Sequence, residues 1–409
     1  MASTSQDQVT YFARTNHRNA GVVFGIRRRD RRSHFYVVGK TGTGKSHLLR
    51  LMLAQDIANG EGCALFDPHG DLATSIAALV PAHRRRDLVY LNLPDPSLPW
   101  RFNPFEGVAA EGRALAAAGI VEVFKKLWPD DWGPRLEHLL RNVIFTLLET
   151  PGSSLADVPA LLADRDYRDS VARQLENRVV RDFWFEEFNR YSPPFRAVVA
   201  APLQNKVGAL LTDPITRGFL TEEGELLDLR ALVDEGKILL VNLDKGRIGE
   251  GPAALIGSLL LSHIALVGLG RSRTPENERR DFFVYLDEFQ TFTTLSLANM
   301  LSELRKYHVS LVLAHQHLSQ LDPAIRDAVF GNVGSLASFR VGAQDASYLS
   351  REFGGVFSPE DLTGLPRYQA YVRLQIDNES ARPFSAAILS SLAICHASRG
   401  DLTVQDRSE

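Results

Sequence analysis

Apolar residues along this chain fall into two kinds of run, and the two kinds alternate. Short continuous runs, mostly rich in β-branched and aromatic residues, occur at Phe35–Val38, Cys63–Phe66, Leu88–Leu93, Ile238–Leu243, Phe282–Leu286, Ser310–Ala314, Leu336–Val341 and Ala370–Leu374. Segments with helical spacing lie between them. A strand that is apolar at every position is buried on both faces, as in a parallel sheet covered by helices. The pattern predicts an α/β fold on a mostly parallel sheet flanked by helices.

The alternation is tight up to about Leu93 and again from about Leu232. In between, Leu136, Leu139, Leu140, Val143, Ile144 and Leu147 repeat at helical spacing, punctuated by Asn103-Pro104 before them and Pro151-Gly152 after. The expectation is a sheet core from residues 1–104 and 226–395, interrupted by an all-helical subdomain at 105–225. A disordered tail at 396–409 would follow. Ala253–Gly270 is apolar apart from Ser258, Ser262 and His263, nearly long enough to span a bilayer. Strand runs on both sides of it have to share one sheet, so a buried core helix is expected there.

Composition narrows the classes. A formal charge of -3 and a pI near 6.4 give no global basic field, so any nucleic-acid site is local: a groove, a loop or the lumen of a ring. Cys63 and Cys395 sit in apolar surroundings with no disulfide framework or zinc spacing, and Met1–Thr10 has no apolar signal core. A cytoplasmic protein without membrane insertion is expected.

The candidate chemistry begins at Gly39-Lys40-Thr41-Gly42-Thr43-Gly44-Lys45-Ser46, which satisfies G-x-x-x-x-G-K-[ST]. A β run enters it and a helical pattern leaves it, the context a phosphate loop requires. Glycines let backbone N–H groups turn inward, and the helix that follows, opening at His47, adds its positive end. Lys45 is placed to reach the β- and γ-phosphates and the Ser46 hydroxyl to ligate Mg²⁺. Asp281–Glu288 is a buried run ending in two acids. Asp287 is then the candidate for the Mg²⁺ shell and Glu288 for polarising the attacking water. Gln316 follows the next strand, where it can sense a terminal phosphate or orient water.

Taken together, the P-loop, Asp287-Glu288-Phe289-Gln290, Arg305 and Gln316 resemble the HerA/FtsK superfamily of ring-forming, DNA-translocating ATPases with RecA-like cores. Within it the chain is most similar to the coupling ATPases of conjugative type IV secretion. Asp67-Pro68-His69-Gly70-Asp71 and Phe102-Asn103-Pro104-Phe105 support that likeness. The resemblance implies ATP with Mg²⁺, a homo-hexamer, DNA as partner, and active sites at subunit boundaries completed by a neighbour's arginine. By motif position Arg305 is the candidate finger; its alternative is a helix-end cation facing the dipole. Arg340 and Arg31 are further candidates. The membrane helices and the β-barrel that usually precede the P-loop in these relatives find no counterpart before Gly39, which suggests a soluble motor core.

Other readings stay open. His315 and His317 could ligate a metal, but without a third ligand they read as structural. Asp67-Pro68-His69 also resembles a metal phosphoesterase motif, against a tight turn near the nucleotide. Arg27–Arg32 and Arg84–Arg86 could touch phosphates or lie as solvated surface. Besides DNA translocation, the motor could move protein in a secretion-like system. It could also act as an ATP-gated scaffold regulating a nuclease or effector partner.

Overall fold

The all-apolar runs become the centre of a single eleven-stranded sheet in the computed structural model, which describes residues 6–17, 20–221 and 224–390. Cys395 and the tail at 396–409 lie outside the described residues. Its strands are β1 (Val9–Thr15), β2 (Val23–Arg27), β3 (Phe35–Val38), β4 (Gly62–Asp67), β5 (Leu88–Asn92), β6 (Ile238–Asn242), β7 (Phe282–Leu286), β8 (Val309–His315), β9 (Ser335–Ser338), β10 (Gln369–Arg373) and β11 (Phe384–Ile388). They pair in the order β2-β1-β11-β10-β9-β3-β8-β7-β4-β6-β5.

From β9 to β5 every pairing is parallel. Strands β3, β4, β6, β7, β8 and β9 are buried at every residue, as two helix-covered faces demand. Alternate residues feed two cores. Tyr36, Phe66, Val241 and Leu286 face one; Phe35, Leu65, Leu240 and Tyr285 face the other. The remaining strands extend the sheet antiparallel, and β10 alternates buried with half-buried positions. The first and last described strands pair, Ala13 opposite Ile388. Sequence periodicity missed β1, β2 and β11, because their apolar residues are interrupted by Thr, Arg, Gly and Ser.

Helices Lys45–Ala58 and Asp71–Leu79 cover one face. The other face carries Glu250–Gly270 and, packed on it, Arg113–Leu127, followed by a helical stretch to Thr221. Leu255, Ile256, Leu259 and Leu260 are almost fully buried, each worth about 1.5–3 kcal/mol of apolar transfer. Glu250–Arg273 is the one segment among the described residues long and apolar enough to cross a membrane, yet 67% of its most apolar window is buried inside the fold. Gly257 lets this helix close on Phe292, since a Cβ there would sit 2.4 Å from the ring. Trp100–Arg101 pairs with Glu225–Leu226, so the chain leaves for the helical stretch and returns from it at one point.

Burial corrects part of the arginine-rich stretches, whereas Arg29, Arg85 and Arg86 are exposed, as solvated surface is. Arg31 is 4% exposed; its guanidinium donates to Asp56 at 2.5 and 2.8 Å and to the Tyr285 hydroxyl at 2.7 Å. Arg28 pairs with Glu61 and Asp281, Arg32 with Asp281, and Arg84 donates to the carbonyls of Ile57, Glu61 and Gly236. These cations neutralise carboxylates and carbonyls at the N-terminal edge of the parallel strands. They are neither solvated surface nor free to meet phosphate, and Arg31 cannot act as a finger.

Candidate active site

Parallel strands align their C-terminal ends, so the segments following β3, β8, β7, β4 and β6 meet at one edge. After β3 the chain turns through Gly39–Gly44 into the helix starting at Lys45. Gly42 and Gly44 have φ of 73° and 125°, backbone that a side chain rarely adopts. The Gly39 N–H donates to the His315 carbonyl at 3.2 Å and the Lys40 N–H to that of Arg340 at 2.9 Å, tying the loop to strands on both sides. Thr43 Oγ1 donates to the Lys40 carbonyl at 2.7 Å.

Lys45 folds back over this loop, its ammonium donating to the carbonyls of Gly39 at 2.5 Å and Lys40 at 3.1 Å. Burial lowers the Lys45 pKa, while Asp287 and Glu288 work against that. A buried cation held only by carbonyls is poised for an anion. The Ser46 hydroxyl donates to Asp287 Oδ2 at 2.9 Å. Burial raises the Asp287 pKa, opposed by that hydrogen bond. Hydroxyl and carboxylate oxygens side by side are the hard donors a small divalent cation takes. The His47 side chain instead hydrogen-bonds the Leu389 carbonyl at 2.8 Å, leaving only its backbone amide, in the first helical turn, for the loop.

Glu288 opens the turn after β7 with φ of 49°, a left-handed conformation unusual for a side chain of this length. Its Oε1 accepts from Gln316 Nε2 at 2.7 Å and pairs with His69 Nε2 at 2.9 Å; its Oε2 accepts from Lys245 Nζ at 2.9 Å. Burial raises the carboxyl pKa, but the bonds from Lys245 and His69 outweigh it, and the net shift is down. Thr41 Oγ1 donates to Gln316 Oε1 at 2.7 Å, closing a chain from the P-loop to Glu288.

The structure thus brings together Lys45, Ser46, Asp287, Glu288 and Gln316. Arg305 is not among them: it ends the helix Leu295–Lys306 at the opposite edge of the sheet and hydrogen-bonds Asn378. Within this chain it does not reach the P-loop edge. Arg340 contributes its carbonyl to the P-loop of this chain. His315 is structural, accepting from Tyr36 on one ring nitrogen and donating to the His317 carbonyl from the other. Burial takes it down to about 4. Among the described residues no His/Cys/Asp/Glu cluster of metal-binding size exists. Asp67 accepts from the His69 and Ala73 amides, the tight-turn reading.

Lys245 and His69 escaped the sequence as partners of Glu288. A signal was present: each lies within three residues of the end of a strand run, on the edge that holds the P-loop.

No curated protein sequence matches the chain. Solved structures do. The unbound monoclinic form of the bacterial conjugative coupling protein TrwBdeltaN70 matches with a TM-score of 0.64 at 18% identity, over 95% of this chain and 89% of that one. The plasmid coupling protein TrwB with the non-hydrolysable ATP analogue ADPNP matches at 0.63 and 17%, over 94% and 95%. TrwB with ADP and Mg²⁺ gives 0.60 and 17%, over 90% and 87%. VirB4 of Thermoanaerobacter pseudethanolicus gives 0.57 and 13%, over 95% and 98%. At these identities the likeness establishes the fold, a mostly parallel P-loop NTPase sheet flanked by helices. Family membership rests on sequence: residues 17–356 match the family model described as the type IV secretion-system coupling protein DNA-binding domain. The chain belongs to that family.

Proposed function

We propose that this chain is the ATP-hydrolysing subunit of a DNA-translocating motor. The observation that carries this reading is the convergence of Gly39–Ser46, Asp287, Glu288 and Gln316 on one sheet edge, in a chain of a DNA-binding coupling-protein family. The structures of TrwB with ADPNP and with ADP and Mg²⁺ support ATP and Mg²⁺ as the ligands.

In this reading the glycine-rich turn and the N-terminus of helix Lys45–Ala58 bind the phosphates of ATP, with residues 39–47 contributing backbone amides. Lys45 exchanges the Gly39 and Lys40 carbonyls for phosphate oxygens. Ser46 and Asp287 would hold Mg²⁺, which supplies charge neutralisation for the phosphates. Glu288 orients the attacking water and takes up its proton, and Gln316 reports the terminal phosphate to Glu288 through their shared hydrogen bond. His69 and Lys245 fix where the Glu288 carboxylate points. Assembly as a hexameric ring would bring Arg305 from one subunit toward the site of the next, where it would stabilise charge on the transferred phosphoryl. The helical stretch at 105–225 would act as a subdomain that grips DNA.

The test is ATP hydrolysis by the purified chain with and without duplex and single-stranded DNA across a salt series. Stimulation that falls steeply with salt supports the motor. A rate indifferent to every nucleic acid, with ATP still hydrolysed, points instead to a protein-moving or scaffold role.

A further inference from the structure

Helix Arg113–Leu127 ends beside the turn that carries Glu288. Lys126, in its last turn, makes the link. Its ammonium donates to the Gln290 carbonyl at 2.7 Å and to the Thr293 carbonyl at 2.8 Å. Both carbonyls belong to the turn opened by Glu288, whose own carbonyl accepts from the Thr291 N–H at 2.9 Å. Phe292 of the same turn is pinned from the side by the core helix at Gly257.

Two features set this contact apart from ordinary packing. Lys126 is half-buried with no ion-pair partner among the described residues, and partial desolvation pulls it down to about 7. Desolvating a cation without a counter-charge costs stability, so carbonyls alone are an unfavourable match for it. The turn also contains two buried atoms without a hydrogen-bond partner, Gln290 Oε1 and Thr293 Oγ1. An ammonium carries three protons, and two are used here. The turn is therefore incompletely satisfied as it stands, beside a donor with capacity to spare, so a second arrangement of turn and lysine costs few hydrogen bonds.

We propose that Lys126 is a positioning residue through which the helical stretch sets the Glu288 carboxylate, so that DNA gripped by that stretch accelerates hydrolysis through this contact. The inference rests on Glu288 acting as proposed above. Displacement of helix Arg113–Leu127 pulls on the Gln290 and Thr293 carbonyls. The turn then rotates about its left-handed first residue, whose carboxylate is held by His69, Lys245 and Gln316.

The experiment compares the full chain with Lys126→Met and Lys126→Arg, reading kcat, KM and binding of a fluorescent ATP analogue, each with and without saturating duplex DNA. Lys126→Met should keep KM and analogue binding within about twofold and lose about 10- to 100-fold in kcat, the scale of a misplaced catalytic group. Its ratio of DNA-stimulated to basal rate should fall toward one, and Lys126→Arg should recover part of both. Hydrogen exchange should rise at the 288–294 amides of Lys126→Met while the 39–48 amides stay protected to the wild-type level. Unchanged kcat and stimulation ratio in Lys126→Met overturn the proposal, as does exchange that rises uniformly through the fold. A Glu288→Gln chain that hydrolyses ATP normally would instead overturn the underlying assignment of Glu288, which separates the two failures.

Discussion

Replacing Glu288 by Gln isolates the carboxylate's chemistry from its structural role. The amide is nearly isosteric and its oxygen can still accept from Lys245, but it carries no charge and cannot accept a proton. Its NH₂ group replaces one acceptor in a site where His69, Gln316 and Lys245 converge. Two effects should separate in size. The acceptor loses its charge at a largely buried position while the Lys245 ammonium still donates to it, which costs about 1–2 kcal/mol of stability, small against the whole fold. Loss of the base should lower kcat by about 10²- to 10⁴-fold, equivalent to about 3–5 kcal/mol in the barrier. Nucleotide binding, which uses the glycine loop, Lys45 and Ser46, should survive. Phosphate release under saturating ATP, fluorescent-analogue binding and urea unfolding on one preparation measure all three. A folded variant that turns over within threefold of wild type would refute the assignment.

Three further perturbations probe other parts of the account. Chains carrying Arg305→Ala and Lys45→Ala should each be inactive but recover hydrolysis when mixed, if Arg305 acts across a subunit boundary; absence of recovery in assembled mixtures removes it as the finger. Arg31→Met strips Asp56 and Tyr285 of their buried cation and should cost about 3–5 kcal/mol in urea unfolding, whereas a change below 1 kcal/mol would mean the pair is dispensable. Burial raises Glu61 from 4.5 to about 7, with the Arg28 pairing working against it. A raised carboxyl favours the folded state at low pH, and that contribution is lost as pH climbs from 4.5 through 7. Glu61→Gln should therefore remove about 3 kcal/mol of pH-dependent stability over that window; parallel pH curves for variant and wild type would contradict it.

How much of this was legible beforehand depends on the range of the interactions involved. The phosphate loop is local: a strand, a glycine-rich turn and a helix occupy consecutive residues, so pattern alone placed Lys45 and Ser46. The acid pair was legible because a run apolar at every position has to end at the edge of a two-sided sheet. The strands that escaped are held by distance. Val9–Thr15 pairs with Phe384–Ile388, and their apolar runs, Tyr11–Ala13 and Ala386–Leu389, are short and rich in alanine. The buried members of the arginine clusters misled for a related reason. Consecutive arginines read as surface unless the buried carboxylates that neutralise them are known, and Asp56, Glu61 and Asp281 come from separate elements. Lys245 reaches Glu288 only because β4 and β6 align Asp67 with Asn242, a register no single segment encodes.

Hydrolysis by this route requires a triphosphate resting on 39–46 with the acids at 287–288 facing its terminal phosphoryl. A crystal structure of Glu288→Gln with ATP and Mn²⁺ in place of Mg²⁺ tests it most directly, since Mn²⁺ can be located by anomalous scattering. The metal is expected against Ser46 Oγ and the Asp287 carboxylate, with Lys45 on the phosphates and residue 288 across from the terminal phosphoryl. Nucleotide bound elsewhere, or a metal away from Ser46 and Asp287, would contradict it.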